Sequence, residues 1–343
     1  MADTNQQAAS ITRIPLSILD LAPVVLGATP ADSLKNTLDL ARHAEQWGYH
    51  RYWLAEHHNM PGIASSATSI VIGHVAGGTK KIRVGSGGIM LPNHAPLIIA
   101  EQFGTLESLY PGRIDMGLGR APGSDQPTAR ALRRGPESDG QHFPQQLEEL
   151  RGYLNPGPGA SPGRVRAVPG EGLNIPIWLL GSSGFSAQLA GQLGLPFAFA
   201  SHFAPDYLIA ALELYRSSFR PSEALKEPYV MIGVNVFAAD TEEEARRLAT
   251  SHEQQFLKLI RGQTGLLNPP VDNMDELWSP HEKAIVRKQL SITAAGTKET
   301  VRERLDYLLS ETQADELIVT SQIYDHGARL RSYELLAEAA GER

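Results

Sequence analysis

The stretch YHRYWLAEHHNMPGIASSATSIVIGHVAGGTKKIRVGSGGIML, residues 49–91, contains the repeat on which the fold reading rests. The apolar run at 49–56 reads as a strand, 66–77 as a helix and 81–91 as a second strand, one β-then-α step of a parallel sheet. Working outward, six more strands are expected at 16–24, 113–119, 175–181, 196–201, 229–239 and 315–321. Helical segments fall between them at 30–47, with Asp32 as cap, and at 96–109, 127–153 with a break, 185–193, 205–219, 241–260, 297–309 and 329–339. Eight strands alternating with helices predict a (β/α)8 TIM barrel; an open doubly wound sheet is the competing arrangement.

Two stretches break the rhythm. NPGPGASPGRVRAVPGEG at 155–172 is too rich in Pro and Gly for a helix and reads as a long loop before the fifth strand. Residues 261–293 carry two adjacent prolines and the segment DNMDELW, and are expected as an active-site loop insertion after the seventh strand and its helix. Residues 1–15, MADTNQQAASITRIP, have an acid, several amides and no apolar core; they read as a flexible tail without the features of a secretory signal. Residues 16–343 then form one domain. No run of 18 apolar residues occurs, so no membrane span is expected, and a cytoplasmic enzyme is the default.

Lys plus Arg number 31 and Asp plus Glu 38, a formal charge of −7, which disfavours a general nucleic-acid surface but leaves a local phosphate pocket open. The absence of cysteine excludes disulfides, thiolate metal sites, cysteine nucleophiles and iron–sulfur clusters, so redox chemistry would need a bound cofactor. From Met60 to Thr79 there is no charged residue other than histidine, although an outer barrel helix normally shows water a charged face. With Ala67, Gly73, Ala76 and Gly77 small enough for close helix approach, this segment is expected at a homodimer seam. Cover by the chain's own tail or insertion is the alternative.

In a parallel barrel the chemistry lies just past each strand. After the second come Glu56, His57 and His58; consecutive strand residues face opposite ways, so one imidazole points inward as a candidate acid/base. Metal is disfavoured, because Asp115, His202 and His326 are isolated and no H-x-H spacing exists. After the third strand, Gly85, Gly87 and Gly88 imply a bulge or a ligand pressed against the main chain. The fourth ends in GLGRAPG, where Pro122 replaces the third glycine of a dinucleotide loop, so that reading is rejected; Arg120 there can form a forked pair with phosphate or carboxylate. The fifth runs into Gly181, Ser182, Ser183, Gly184 and Ser186 at a helix start without acids, an anion cradle. The apolar residues Leu21, Met90, Phe199 and Val236 can line a dry strand end, although each taken singly reads more readily as core than as pocket.

With these residues in view, AEHHNMPGIASSA, RVGSGGIMLPNHAPLIIAEQF, YPGRIDMGLGRAPG, LLGSSGFSAQLAGQLGLPFAFASHFAP and RLRSYELLAEAA make the chain, from about Leu16 to Ala339, resemble the bacterial luciferase-like flavin-dependent monooxygenases, in particular an alkanal monooxygenase-like subgroup. The resemblance implies a TIM barrel that takes reduced FMN (FMNH2) from a separate NAD(P)H:flavin reductase and uses dioxygen to oxygenate an organic substrate. His57 matches the family's catalytic histidine. Arg120 matches the arginine on the FMN phosphate, with Ser183 and Ser186 at hydroxyl contacts and Ser182 contributing backbone or hydroxyl. Gly87 and Gly88 match the positions of a non-prolyl cis peptide beneath the isoalloxazine ring, with Met90 beside them among the cofactor contacts. Gly119 stands where light-emitting subunits carry a reactive cysteine, so a non-luminescent enzyme is implied. An F420-dependent hydride-transfer oxidoreductase and a non-catalytic flavin-binding protein remain as alternatives.

Overall fold

Strand residues here are buried at nearly every position rather than on alternate faces, as strands flanked by helices outside and packed residues inside must be. The computed structural model describes residues 10–121, 126–132, 140–157, 161 and 163–341. In chain order the first elements are β1 (Leu16–Asp20), α1 (Pro30–Gln46), β2 (Arg51–Leu54), α2 (Thr68–Gly78), β3 (Arg83–Ser86), β4 (Ile89–Met90), α3 (Pro96–Leu109) and β5 (Ile114–Gly119). Next come α4 (Gln126–Ala131), α5 (Phe143–Leu154), β6 (Ile177–Gly181), α6 (Gly184–Leu193), β7 (Phe197–Phe199), α7 (Leu208–Ser218) and β8 (Val230–Ala238). The chain finishes with α8 (Glu242–Ile260), α9 (Pro280–Gln289), β9 (Thr293–Gly296), α10 (Lys298–Thr312), β10 (Glu316–Thr320) and α11 (His326–Gly341).

Parallel pairing runs β1, β2, β3, β5, β6, β7, β8, β10 and back to β1, which closes the (β/α)8 TIM barrel. β4 pairs with β5 through Ile89 and Leu118, resuming the line of β3 past the glycines. β9, the sequence TAAG, lies outside the eight expected strands and pairs with the second half of β8, from Asn235 opposite Thr293 to Ala238 opposite Gly296. Its small residues carry no β-branched or aromatic run to mark it.

Several local expectations change. Thr29, not Asp32, is the N-cap of α1; Asp32 sits three residues on and returns a bond to the cap, a capping box. The expected broken helix at 127–153 is α4 and α5, and residues 133–139 between them, like Pro122 and residues 158–160 and 162 of the expected long loop, lie outside the described residues. Residues 1–9 do as well, but Ile11 is 1 % exposed and its N–H donates to Asp306 Oδ1 at 2.7 Å, so part of the expected tail is packed. Val236 is a core residue and does not reach the strand-end cavity described below.

The small residues of α2 act within the chain. A Cβ on Gly73 would stand 3.3 Å from Leu106 and one on Gly77 2.9 Å from the Tyr110 hydroxyl, so both glycines accommodate α3 and its C-terminal turn. What remains outward is apolar: Ile70 is 73 % exposed, and Ile98 and Leu109 of α3 are exposed with it.

Inside the barrel, the Arg51 guanidinium of β2 reaches Asp115 Oδ2 of β5 at 2.7 Å and Glu316 Oε1 of β10 at 3.1 Å. Asp115 also receives Arg83 at 2.6 Å and Trp53 Nε1 at 3.1 Å, which occupies the carboxylate that had been an isolated metal candidate. The Tyr229 hydroxyl donates to Glu316 at 2.9 Å, and Arg51 lies 4.8 Å from the Trp178 ring centre. Trp53 and Trp178 meet edge to face at 5.2 Å above this cluster and form an apolar layer with Leu19, Ala198 and Ile318. Arg51→Met leaves two buried carboxylates short of their shared cation, and urea denaturation is expected to show a loss of about 3–5 kcal/mol; wild-type stability in that variant would contradict the role.

Candidate active site

Beyond the tryptophan layer, the strand ends enclose a cavity of about 620 Å3. All eight site residues expected from sequence, His57, Gly87, Gly88, Met90, Arg120, Ser182, Ser183 and Ser186, line it. Leu21 and Phe199 do so too. The size falls within the range of small-molecule and cofactor sites.

One end is built for an anion. Arg120 follows β5, and its guanidinium lies 4.4 Å from the Phe185 ring centre, with no hydrogen bond or ion pair to it among the described residues. Ser183 is the N-cap of α6, in extended conformation, yet its hydroxyl makes no capping bond; Ser182 precedes it and Ser186 is buried in the first turn. Helix-start N–H groups, uncommitted hydroxyls and a guanidinium together suit a phosphate dianion. These features also meet the demands of an FMN tail, so the residues present fit that cofactor.

The floor is the Gly87–Gly88 peptide, which is cis. Gly88 has no room for a side chain: a Cβ there would stand 2.7 Å from the Gly117 carbonyl oxygen, backbone that cannot swing aside. The segment after it is held by Glu56. This buried carboxylate accepts the Met90 N–H at 3.0 Å, and the Nε2 atoms of His58 and His94 lie 2.8 and 2.9 Å from its Oε1. Burial opposes its ionisation, but His94, His58 and the Met90 amide hold its pKa below the ordinary glutamate value.

Glu56, His58 and His94 offer ligand atoms within 4.8 Å of one another, a donor set that zinc accepts. The contacts to Oε1 have hydrogen-bond length, however, whereas tetrahedral zinc would spread its ligands to about 3.3 Å. The trio therefore works as a clamp between the end of β2 and the segment following β4.

The two adjacent histidines diverge, although both lie past the end of β2 at Leu54, so loop geometry and not the expected strand alternation separates them. His58 turns back to Glu56, while His57 faces the cavity. Burial lowers the His57 pKa, with Glu56 pulling the other way, so the imidazole is neutral at neutral pH. Two further imidazoles line the space: His202 after β7, pushed by burial down to about 4, and His252 on α8, pushed down to about 3. His326, by contrast, is remote from the cavity lining and pairs with Asp39 at 2.9 Å. Sequence reasoning gave no role to His94, His252 or Gln255. The only available signal for the last two was a polar pair inside an amphipathic helix, SHEQQF at 251–256.

Comparison with known proteins follows this geometry. The family model described as luciferase-like monooxygenase matches residues 15–316. The chain belongs to that family. Within it, the chain is 64 % identical over 323 residues to the protein YvbT of Bacillus subtilis (94 % of this chain, 96 % of the relative). It is 56 % identical over 332 residues to a luciferase-like monooxygenase of Escherichia coli K12 (96 % and 98 %). At 35 % over 344 residues it matches the N-acetyl-S-alkylcysteine monooxygenase of Bacillus subtilis (95 % and 98 %). Among solved structures, apo-MsnO8 superposes with a TM-score of 0.84 at 37 % identity (95 % and 98 % covered). The FMN-bound oxygenating constituent of 3,6-diketocamphane monooxygenase of Pseudomonas putida shares the fold at a TM-score of 0.72 and 18 % identity (96 % and 98 %). An F420-dependent secondary alcohol dehydrogenase also shares it, at 0.70 and 13 % (96 % and 99 %).

For this luciferase-like chain, Gly88→Ala forces a methyl group against the Gly117 carbonyl. Thermal or urea denaturation is expected to show a loss of about 1–3 kcal/mol, as overpacking typically costs; an unshifted transition would mean that the floor yields more easily than its contacts imply.

Proposed function

We propose that this protein is a non-luminescent monooxygenase that uses reduced FMN and dioxygen to oxygenate a small organic substrate. The observation that carries the reading is the anion cradle of Arg120 and the α6 N-terminus opening onto the same cavity as the neutral His57. Family membership supports oxygenase chemistry, and the FMN held by the 3,6-diketocamphane monooxygenase constituent supports the choice of flavin. The N-acetyl-S-alkylcysteine monooxygenase is a precedent for a small organic substrate.

Arg120, Ser182, Ser183 and Ser186 would hold the phosphate, and Gly87, Gly88 and Met90 would bear on the ring system. When bound in reduced form, FMN supplies the electrons that activate dioxygen. The chain's own contribution is positional and protonic. His57, kept neutral by burial, accepts or returns a proton at a ring nitrogen facing the cavity. Phe256, Leu259 and Ile260 of α8 put apolar surface along the substrate space. The insertion is tied to the segment after β1, where Leu267 N–H donates to Val24 O at 3.0 Å and Leu26 N–H to Leu267 O at 2.8 Å, and it gives Gln289 to the cavity wall. Apolar lining of this kind limits water at the reacting centre. A separate NAD(P)H:flavin reductase would recharge the flavin. The exposed Ile70, Ile98 and Leu109 support a homodimer through α2 and α3, and the reading makes the enzyme cytoplasmic.

Arg120→Ala is expected to weaken FMN binding in a fluorescence titration by roughly tenfold or more, the scale of a lost charge-assisted contact; equal affinity would refute the phosphate assignment. His57→Ala is expected to retain FMN yet lose coupled substrate oxygenation while releasing peroxide, and unchanged coupling would remove its role. Wild-type kcat/KM should fall on the acid side only below pH 6.5, because burial depresses the His57 pKa below that ordinary value and protonation there removes the base. A parallel titration with F420 tests the alternative cofactor, and selective binding of F420 would replace the FMN reading.

A further inference from the structure

One patch of the cavity wall, formed by α8 and the loop after β7, holds more polar groups than the protein itself satisfies. His252 is 2 % exposed, yet neither ring nitrogen has a hydrogen-bond partner. The Nδ1 of His202 and the Oε1 of Gln255 are in the same condition, although Gln255 Nε2 already donates to Gly265 O at 3.3 Å. All three residues line the cavity. Buried polar atoms are nearly always paired, so three such side chains on one patch leave bonding capacity that a bound ligand can take up.

The patch is also shaped to hold these rings in place. A Cβ at Gly233 would stand 2.2 Å from His202 Nδ1, so only glycine at this point of β8 leaves the imidazole its position. His252 is fixed by aromatic neighbours rather than by hydrogen bonds, with Phe237 and Phe256 ring centres 5.7 and 4.9 Å away. Burial keeps both imidazoles uncharged. Among the described residues, the charged side chains on the cavity wall are Glu56 and Arg120, the first held in the clamp and the second at the anion cradle. An ionised group at this patch would meet no counter-ion, and desolvating it would be prohibitive.

The patch therefore calls for an uncharged group that both donates and accepts. The Gln255 oxygen only accepts, while a neutral imidazole offers one N–H and one lone pair. We propose that His202, His252 and Gln255 recognise an amide group of the substrate, its N–H given to Gln255 Oε1 and its carbonyl receiving an imidazole N–H. The imide edge of a flavin has related donor and acceptor chemistry, and the titrations below separate the two sources. The proposal deepens the monooxygenase reading and rests on it for the identity of the cavity as a substrate chamber.

Three isosteric probes, hexanamide, 2-heptanone and hexanoate, are titrated calorimetrically into the wild-type protein with and without saturating FMN. FMN is titrated separately into wild type, His252→Phe and Gln255→Leu. Hexanamide is expected to bind wild type roughly tenfold or more tightly than either isostere, the scale of one well-made hydrogen bond to a buried group. Each variant should lose that preference while keeping FMN affinity. Hexanamide binding no better than 2-heptanone, tighter binding of hexanoate, or variants that retain the preference would each overturn the proposal. So would variants that lose FMN affinity while still preferring hexanamide, since the patch would then serve the flavin. Failure of wild type to bind FMN while it selects hexanamide would refute the flavin reading and leave amide recognition standing.

Discussion

The Arg51 guanidinium, shared between Asp115 and Glu316 inside the barrel, is the constraint from which the rest of the molecule follows. It joins β2 to β5 and to β10, strands on either side of it around the ring, so the barrel interior is crossed by charge-assisted bonds rather than filled with apolar layers alone. A buried ion pair of this kind is weak evidence for net stability, because desolvation offsets much of the attraction. Its strength is geometric: the groups lose heavily if any one of them moves, so the strand registers are held. On this base stand Trp53 and Trp178, and above them the cavity begins.

Within the cavity the division of labour follows from which polar groups have partners and which do not. Glu56 is saturated by the Met90 amide and two imidazoles, and so stabilises the strand end that carries Gly87 and Gly88. A second buried acid, Asp20, is saturated likewise: burial opposes its charge, but Arg329 at 2.7 Å and the Tyr52 and Thr37 hydroxyls hold its pKa below the ordinary value. Because its folded pKa is depressed, the stability it contributes is present above the ordinary aspartate range and is lost as pH falls through the folded value. Arg120, Ser183, His202, His252 and Gln255 are the opposite case, groups whose bonding capacity is not used up among the described residues.

Much of this was legible in the sequence, for identifiable reasons. Strands such as LSILD and VMIGVNVFA are mostly apolar on both faces because both faces are covered, and that pattern marks a parallel barrel without any pairing information. His57, Arg120 and the serines were accessible because they sit directly after such strands, where a barrel places its ligands. The four-residue β9 was not, since TAAG has no strand signature and pairs only because β8 is long enough to offer it an edge. Nor was the Glu56–His94 contact, which joins residues 38 apart and exists only once β2 and the segment after β4 are side by side. His252 and Gln255 were hidden for a different reason: α8 reads as an ordinary amphipathic helix, and nothing local distinguishes a polar residue facing water from one facing a chamber.

The long strand β8 gives the molecule an architectural property of its own. Its first half is barrel wall, bonded to β7 and β10, while its second half holds β9, where the insertion at 261–293 ends; farther back, Leu267 fastens that insertion to the turn after β1. The insertion is thus anchored at two places, and separating it from the barrel would break backbone hydrogen bonds at both.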